Sequence, residues 1–259
     1  MAKISEAKRE LFLKRTASYK MRIVTLLQEE KSLLENKAGD PCSCLALAET
    51  MLNISSYYIV FQKLSLAMLN ASNDSFITEG RKYVIKAISY LEAVTTNKVD
   101  APFSEYEDKL AAIEAVDPTQ RYRIAQKLGF TLELFEQALG ENSRWKWSCV
   151  ELTGKVAAVI KNLIDLKKLA ANTDIYSPWY ESTTRHMRFA KEMLMKAADR
   201  YRVRYEVATN QIDDFRIAIN FLNALRRLHL LLGEADESEI VKKKSDNWSA
   251  KFEENLKKQ

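Results

Sequence analysis

Ten residues of this 259-residue chain are glycine or proline (6 Gly, 4 Pro), and nearly all ten fall between amphipathic runs. Ordinary usage of roughly 7% Gly and 5% Pro would give about thirty. Turns that need a positive or fixed φ are built from these two residues, so the chain has few tight turns. Sandwiches and many-stranded α/β folds need more. A small number of long helices does not.

The apolar spacing agrees with that reading. Over 3–37, Phe12, Tyr19, Ile23, Leu26, Leu27, Leu33 and Leu34 fall on one side at helical periodicity, and Gly39-Asp40-Pro41 ends the run. The spacing predicts further helices over 42–70, 75–96, 104–116, 118–139, 144–171, 179–208, 210–232 and 236–257. The second is apolar on most of its circumference, which marks it as central. Asp117-Pro118 reads as an N-cap and first-turn pair, Asn172–Pro178 as the longest linker, and Gly233 as a C-cap. Nothing reads as strand. The expected fold is all-α: about nine antiparallel helices in one domain over 1–259, as a bundle or an α-solenoid of stacked helix pairs.

Ser43-Cys44-Leu45 and Ser148-Cys149-Val150 each open an apolar helix, and Arg81 and Arg185 follow at similar distances. An internal duplication of 42–97 as 144–208 is one reading of this, and coincidence in an all-helical chain is the other. Leu128-Gly129 echoes the Leu-Gly pair of tetratricopeptide repeats. The aromatic, alanine and proline positions of that repeat are not met in register, so no family is assigned.

Composition excludes several classes. Hydrophobic residues at 47% and charged residues at 29% are wrong for disorder. The N-terminus has no apolar signal core, and the most apolar stretch, 42–69, is interrupted by polar residues. Three cysteines, an odd number, argue against a disulfide framework and for a reducing cytoplasm. The Asn-x-Ser/Thr matches at Asn53, Asn70, Asn73 and Asn247 then read as chance.

Reaction chemistry is hard to find. Cys42-x-Cys44 opens a helix, where the dipole lowers a thiol pKa, but buried thiols more often serve as small apolar groups. Cys149, His186 and His229 complete no zinc pattern. Asp213-Asp214 lies in a helix first turn, where acids are stabilising anyway, and Asp236, Glu237 and Glu239 open the next helix in the same way. Thr153-Gly-Lys155 lacks the glycines of a phosphate loop. No catalytic residue, cofactor or metal is expected.

Charge carries the remaining lead. The net charge is +5, yet residues 3–22 alone hold seven Lys/Arg against two Glu, and 185–204 hold seven against Glu192 and Asp199. Over 185–208 Met187, Ala190, Leu194, Ala197, Tyr201, Tyr205 and Ala208 form an apolar stripe. Arg185, Arg188, Lys191, Lys196, Arg200, Arg202 and Arg204 cover the rest, and guanidinium forks suit carboxylates or phosphates. Trp145 and Trp147 point to different sides of a helix, one toward the core and one as an exposed anchor. The expected function is a non-catalytic adaptor or scaffold binding an acidic protein partner. Its predicted contacts are Arg185, Arg188, Lys191, Arg200, Arg202 and Arg204, with Trp145 or Trp147 at the edge. A basic surface for nucleic acid or anionic membrane, using 3–22 together with 185–204, is the alternative, and an enzyme with an unrecognised helical site the third.

Overall fold

The computed structural model describes residues 6–37, 39–95, 107–117, 119–139, 146–164 and 177–257. Among them the fold is all-α, with nine helices and no strand. These are α1 (Glu6–Lys37), α2 (Pro41–Leu64), α3 (Asp74–Glu92), α4 (Glu107–Val116), α5 (Gln120–Ala138), α6 (Lys146–Leu163), α7 (Pro178–Arg204), α8 (Ile212–Leu231) and α9 (Ala235–Leu256). The chain divides into two compact units, residues 1–96 with 103–149, and residues 150–259 with 97–102.

In the first unit α2 is the hub. It packs against α1, α3, α4 and α5, and Leu45, Leu47, Met51, Leu52, Ile54 and Phe61 are buried along its length. The stretch Pro41–Leu69 is long and apolar enough to cross a membrane, and most of it is buried within the fold. Asp40 caps α2, accepting from the Ser43 amide at 2.9 Å, with Pro41 as the first helical residue. α1 and α3 are clamped through Glu30, which is buried and accepts from the Tyr90 hydroxyl and from Lys86 Nζ at 2.6 Å.

In the second unit α8 lies between α7 and α9. Its inward residues, Phe215, Ala218, Phe221, Leu222, Leu225 and Leu228, recur every three or four positions and are buried. Phe215 stacks on Tyr205 from the end of α7 and meets Trp248 and Phe252 of α9.

Both long hairpins turn by the same device, which periodicity alone does not foresee. The spacing ran a single helix over 42–70 and another over 179–208. Instead each ends in one wide turn, Ser65–Leu69 and Tyr205–Thr209, closed by an asparagine in the left-handed region, Asn70 (φ 49°) and Asn210 (φ 50°). Asparagine reaches that region with a smaller penalty than most residues. The first turn is tied by Gln62 and Ser65 to the connection at Ala71–Asn73, the second by the Thr209 hydroxyl donating to Asp214 at 2.6 Å. The hairpins built in this way are 41–92 and 178–231.

Two predicted boundaries shift. Ser177-Pro178 belongs to α7, as its cap and first residue, and is not linker. The Asp117 carboxylate accepts from the Thr119 amide and hydroxyl, so α5 begins at Gln120. Most of the predicted linker and the tail of the 144–171 helix lie outside the described residues.

Candidate functional site

The predicted cationic strip runs along α7, the longest helix of its unit. Ser177 accepts from the Tyr180 amide, Pro178 presets the first turn, and 27 residues follow without a break. Met187, Ala190, Leu194, Ala197 and Ala198 are buried as the stripe requires.

Most of the strip's cations already have partners. Lys191 Nζ lies 2.9 Å from Glu234, and Lys196 pairs with Glu192 one turn away at 3.3 Å. Arg202 stands 3.7 Å from Glu206, with its guanidinium 5.1 Å from the centre of the Trp248 ring. Arg204 Nε is 3.2 Å from Asp214, a buried first-turn carboxylate of α8. Arg185 and Arg200 are exposed, and neither is without an interaction. Two lysines of α9 reinforce the arrangement, Lys244 on Asp199 at 3.0 Å and Lys251 on Glu206 at 2.8 Å. The hydrogen bond from Lys251 outweighs the small desolvation of Glu206 and holds its carboxyl below the usual range.

Arg188 is the exception. It is exposed, and no acid among the described residues pairs with it. It lines an open cleft of about 390 Å³ with Thr184, Met187, Lys191, Leu232 and Glu234. The four α7 residues follow i, i+3, i+4, i+7 spacing and so share one face. Leu232 and Glu234 come from the turn between α8 and α9, and the construction of that turn explains their position. Gly233, at φ 76°, ends α8 in a Schellman motif: the Glu234 amide donates to the His229 carbonyl and the Gly233 amide to that of Leu230. This geometry brings residue 234 back over residue 229, where an apolar pair is usual. Here His229 Nδ1 lies 2.6 Å from Glu234 Oε2, and Lys191 donates to both Glu234 oxygens. Burial pushes the Glu234 carboxyl up, but hydrogen bonds from Lys191 and His229 outweigh it, and the group stays ionised to lower pH than usual.

The cleft therefore presents one unpaired guanidinium, one hydroxyl, two apolar side chains and a carboxylate already held by Lys191 and His229. That set can take an anionic group beside an aliphatic one. It contains no nucleophile activated by a base. Among the described residues no three His, Cys, Asp or Glu side chains cluster closely enough to hold a metal ion.

The other predicted residues are dispersed. Trp145 lies outside the described residues, as does the side chain of Trp147. None of the three cysteines is in a disulfide. Burial, with Asp40 adding to it, pushes the Cys44 thiol up, opposing the lowering expected at a helix start. His186 is fully buried, and neither ring nitrogen has a hydrogen-bond partner among the described residues. Burial holds its pKa down at about 4. Glu234, His229, Thr184 and Leu232 were not among the predicted site residues. The legible signal for Glu234, His229 and Leu232 was Gly233, since a glycine C-cap fixes which side chain lies over the last helical turn, and Thr184 had only its four-residue spacing from Arg188.

Fold and cleft together define a helical-hairpin protein carrying a cation-lined surface cleft. The chain belongs to the TP0443 family, whose model matches residues 8–256. No curated protein and no solved structure matches it.

Proposed function

We propose that the chain is a non-catalytic helical adaptor that docks an acidic segment of a protein partner in the α7 cleft. The observation that carries this reading is Arg188, an exposed guanidinium lining a cleft beside Met187 and Leu232, with no acid among the described residues on it. An acidic side chain of the partner pairs with Arg188, while a neighbouring aliphatic side chain covers Leu232 at the cleft's edge. Thr184 supplies a hydroxyl, and Lys191, already on Glu234, sets the cleft's polar edge. Partner recognition of this kind is electrostatically steered and weakens with salt. A reducing, cytoplasmic setting suits cysteines that form no disulfide.

The test is a titration of the isotope-labelled chain with a peptide rich in glutamate and leucine. The expected result is saturable shifts at the Arg188 side chain and the Thr184 and Leu232 amides. Arg188→Glu should remove them with no change in melting, because Arg188 is exposed. Saturable binding that Arg188→Glu leaves intact contradicts the proposal.

A further inference from the structure

A second surface lies on α1 and is built differently from the cleft. α1 turns Phe12, Thr16, Ile23, Leu26 and Glu30 inward, against α2 and the turn that follows it. On the other side Leu13, Ala17, Met21 and Val24 make one outward line at spacings of four, four and three residues. The large members are well exposed, Leu13 and Val24 at 56% and Met21 at 73%. At 100° per residue, Arg9 and Lys20 fall on one flank of this line and Lys14 on the other. All three are exposed, and none has an acid partner among the described residues. Lys8 and Arg15, also exposed and without an acid partner among the described residues, lie on the opposite side of α1 and are not part of this face. Glu6 and Glu10 sit at the N-terminal end of the line, Glu6 in the first turn, where the helix dipole favours it.

We infer that this face of α1 binds reversibly to anionic lipid surfaces. An aliphatic ridge flanked by unpaired cations is the arrangement of a helix lying in the membrane–water interface: the ridge enters the acyl boundary, and the lysine stems bend back toward the headgroups. Nucleic acid fits less well. It offers nothing apolar to Leu13, Met21 and Val24, and the nearby aromatic, Tyr19, is turned onto Tyr57 and Phe61, where it cannot stack on a base. The ridge is convex and short, so it suits a deformable surface and gives weak, salt-sensitive attachment. The α7 cleft plays no part in this, and the two proposals stand or fall separately.

Co-sedimentation of the full chain with vesicles tests it, using phosphatidylcholine containing about 30% phosphatidylserine, at about 0.1 M salt, against phosphatidylcholine alone. Binding is expected to the first and not to the second. Lys14→Glu with Lys20→Glu should weaken it at least about 30-fold, since each basic residue near the surface contributes about a factor of five. Leu13→Gln with Met21→Gln should weaken it at least about tenfold. All four positions are exposed, so both variants should melt as the parent does. Failure to sediment with the anionic vesicles overturns the inference. So does anionic-vesicle binding unaffected by Leu13→Gln with Met21→Gln and matched by equal affinity for duplex DNA, which would mark a phosphate-binding surface. A dimer in light scattering that the same aliphatic variant dissolves would assign the ridge to a second copy of the chain, and would overturn it as well.

Discussion

α1 and α7 look alike as sequences: residues 3–22 and 185–204 each carry seven Lys/Arg against two acids. In the fold they differ. On α7 Lys191, Lys196, Arg202 and Arg204 are paired with Glu234, Glu192, Glu206 and Asp214. On α1 Lys8, Arg9, Lys14, Arg15 and Lys20 have no acid partner among the described residues, and of the described cations of that segment Arg22 alone reaches one, Glu29 at 3.6 Å. Part of the difference comes from α7 itself, since Glu192 and Glu206 belong to it and its closing turn, and the rest comes from the neighbours. α7 packs beside α8, whose first turn supplies Asp214 and whose C-terminal turn supplies Glu234. α1 packs on α2, which between Pro41 and Leu64 contains a single acid, Glu49, and that one is taken by Lys127. A basic helix thus keeps more of its cations open to solvent where the helix it packs on offers it few acids.

The inner sides of the two helices differ in the opposite sense. α1 satisfies its buried polar groups, Thr16 through the Phe12 carbonyl and Glu30 through Tyr90 and Lys86, whereas α7 buries His186 with no partner among the described residues. The largest expected effect follows from this. The His186 pKa is near 6.5 in an unfolded chain and about 4 in the fold. Below pH 6.5 the unfolded chain takes up a proton that the native one refuses. Stability therefore falls as pH drops from 6.5 to 4, by about 3 kcal/mol from this group, and levels off beneath. His186→Leu should remove that part of the acid limb in denaturant melts, leaving stability at pH 7 unchanged or higher. Identical limbs in parent and variant would contradict the unpartnered burial.

Next in size is Asp214→Ala. It removes a first-turn acid of α8, the acceptor of the Thr209 hydroxyl and the partner of Arg204. A loss of about 2 kcal/mol is expected in urea unfolding. Lys191→Met should cost about 1 kcal/mol and raise the Glu234 titration, followed by carboxyl NMR. On α1, by contrast, Lys14→Ala and Lys20→Ala should each change stability by less than about 0.5 kcal/mol. If the α1 and α7 substitutions cost the same, the contrast between the helices fails.

Much of the architecture could be read in advance, because long apolar periodicity and scarce Gly and Pro are strong local signals. Gly39, Gly233, Asp40-Pro41 and the break at Asn70–Asp74 all mark real boundaries. The wide turns at 65–69 and 205–209 were not legible, since a run that widens from α to π keeps nearly the same apolar spacing. Neither was the fate of the cations. Arg188 and Arg204 are indistinguishable in a one-dimensional pattern, and only the packing of α8 places Asp214 against one and leaves the other facing a cleft. The same holds for Lys14 and Lys191.

Lysine reactivity measures that packing directly. Brief acetylation of the native chain, read by mass spectrometry, should modify Lys8, Lys14 and Lys20 severalfold faster than Lys191 and Lys244, whose amines lie 2.9 and 3.0 Å from carboxylates. Equal rates at all five would contradict the contrast between the α1 lysines, which have no acid partner among the described residues, and the ion pairs that α7 makes through Lys191 and through Asp199 with Lys244 of α9.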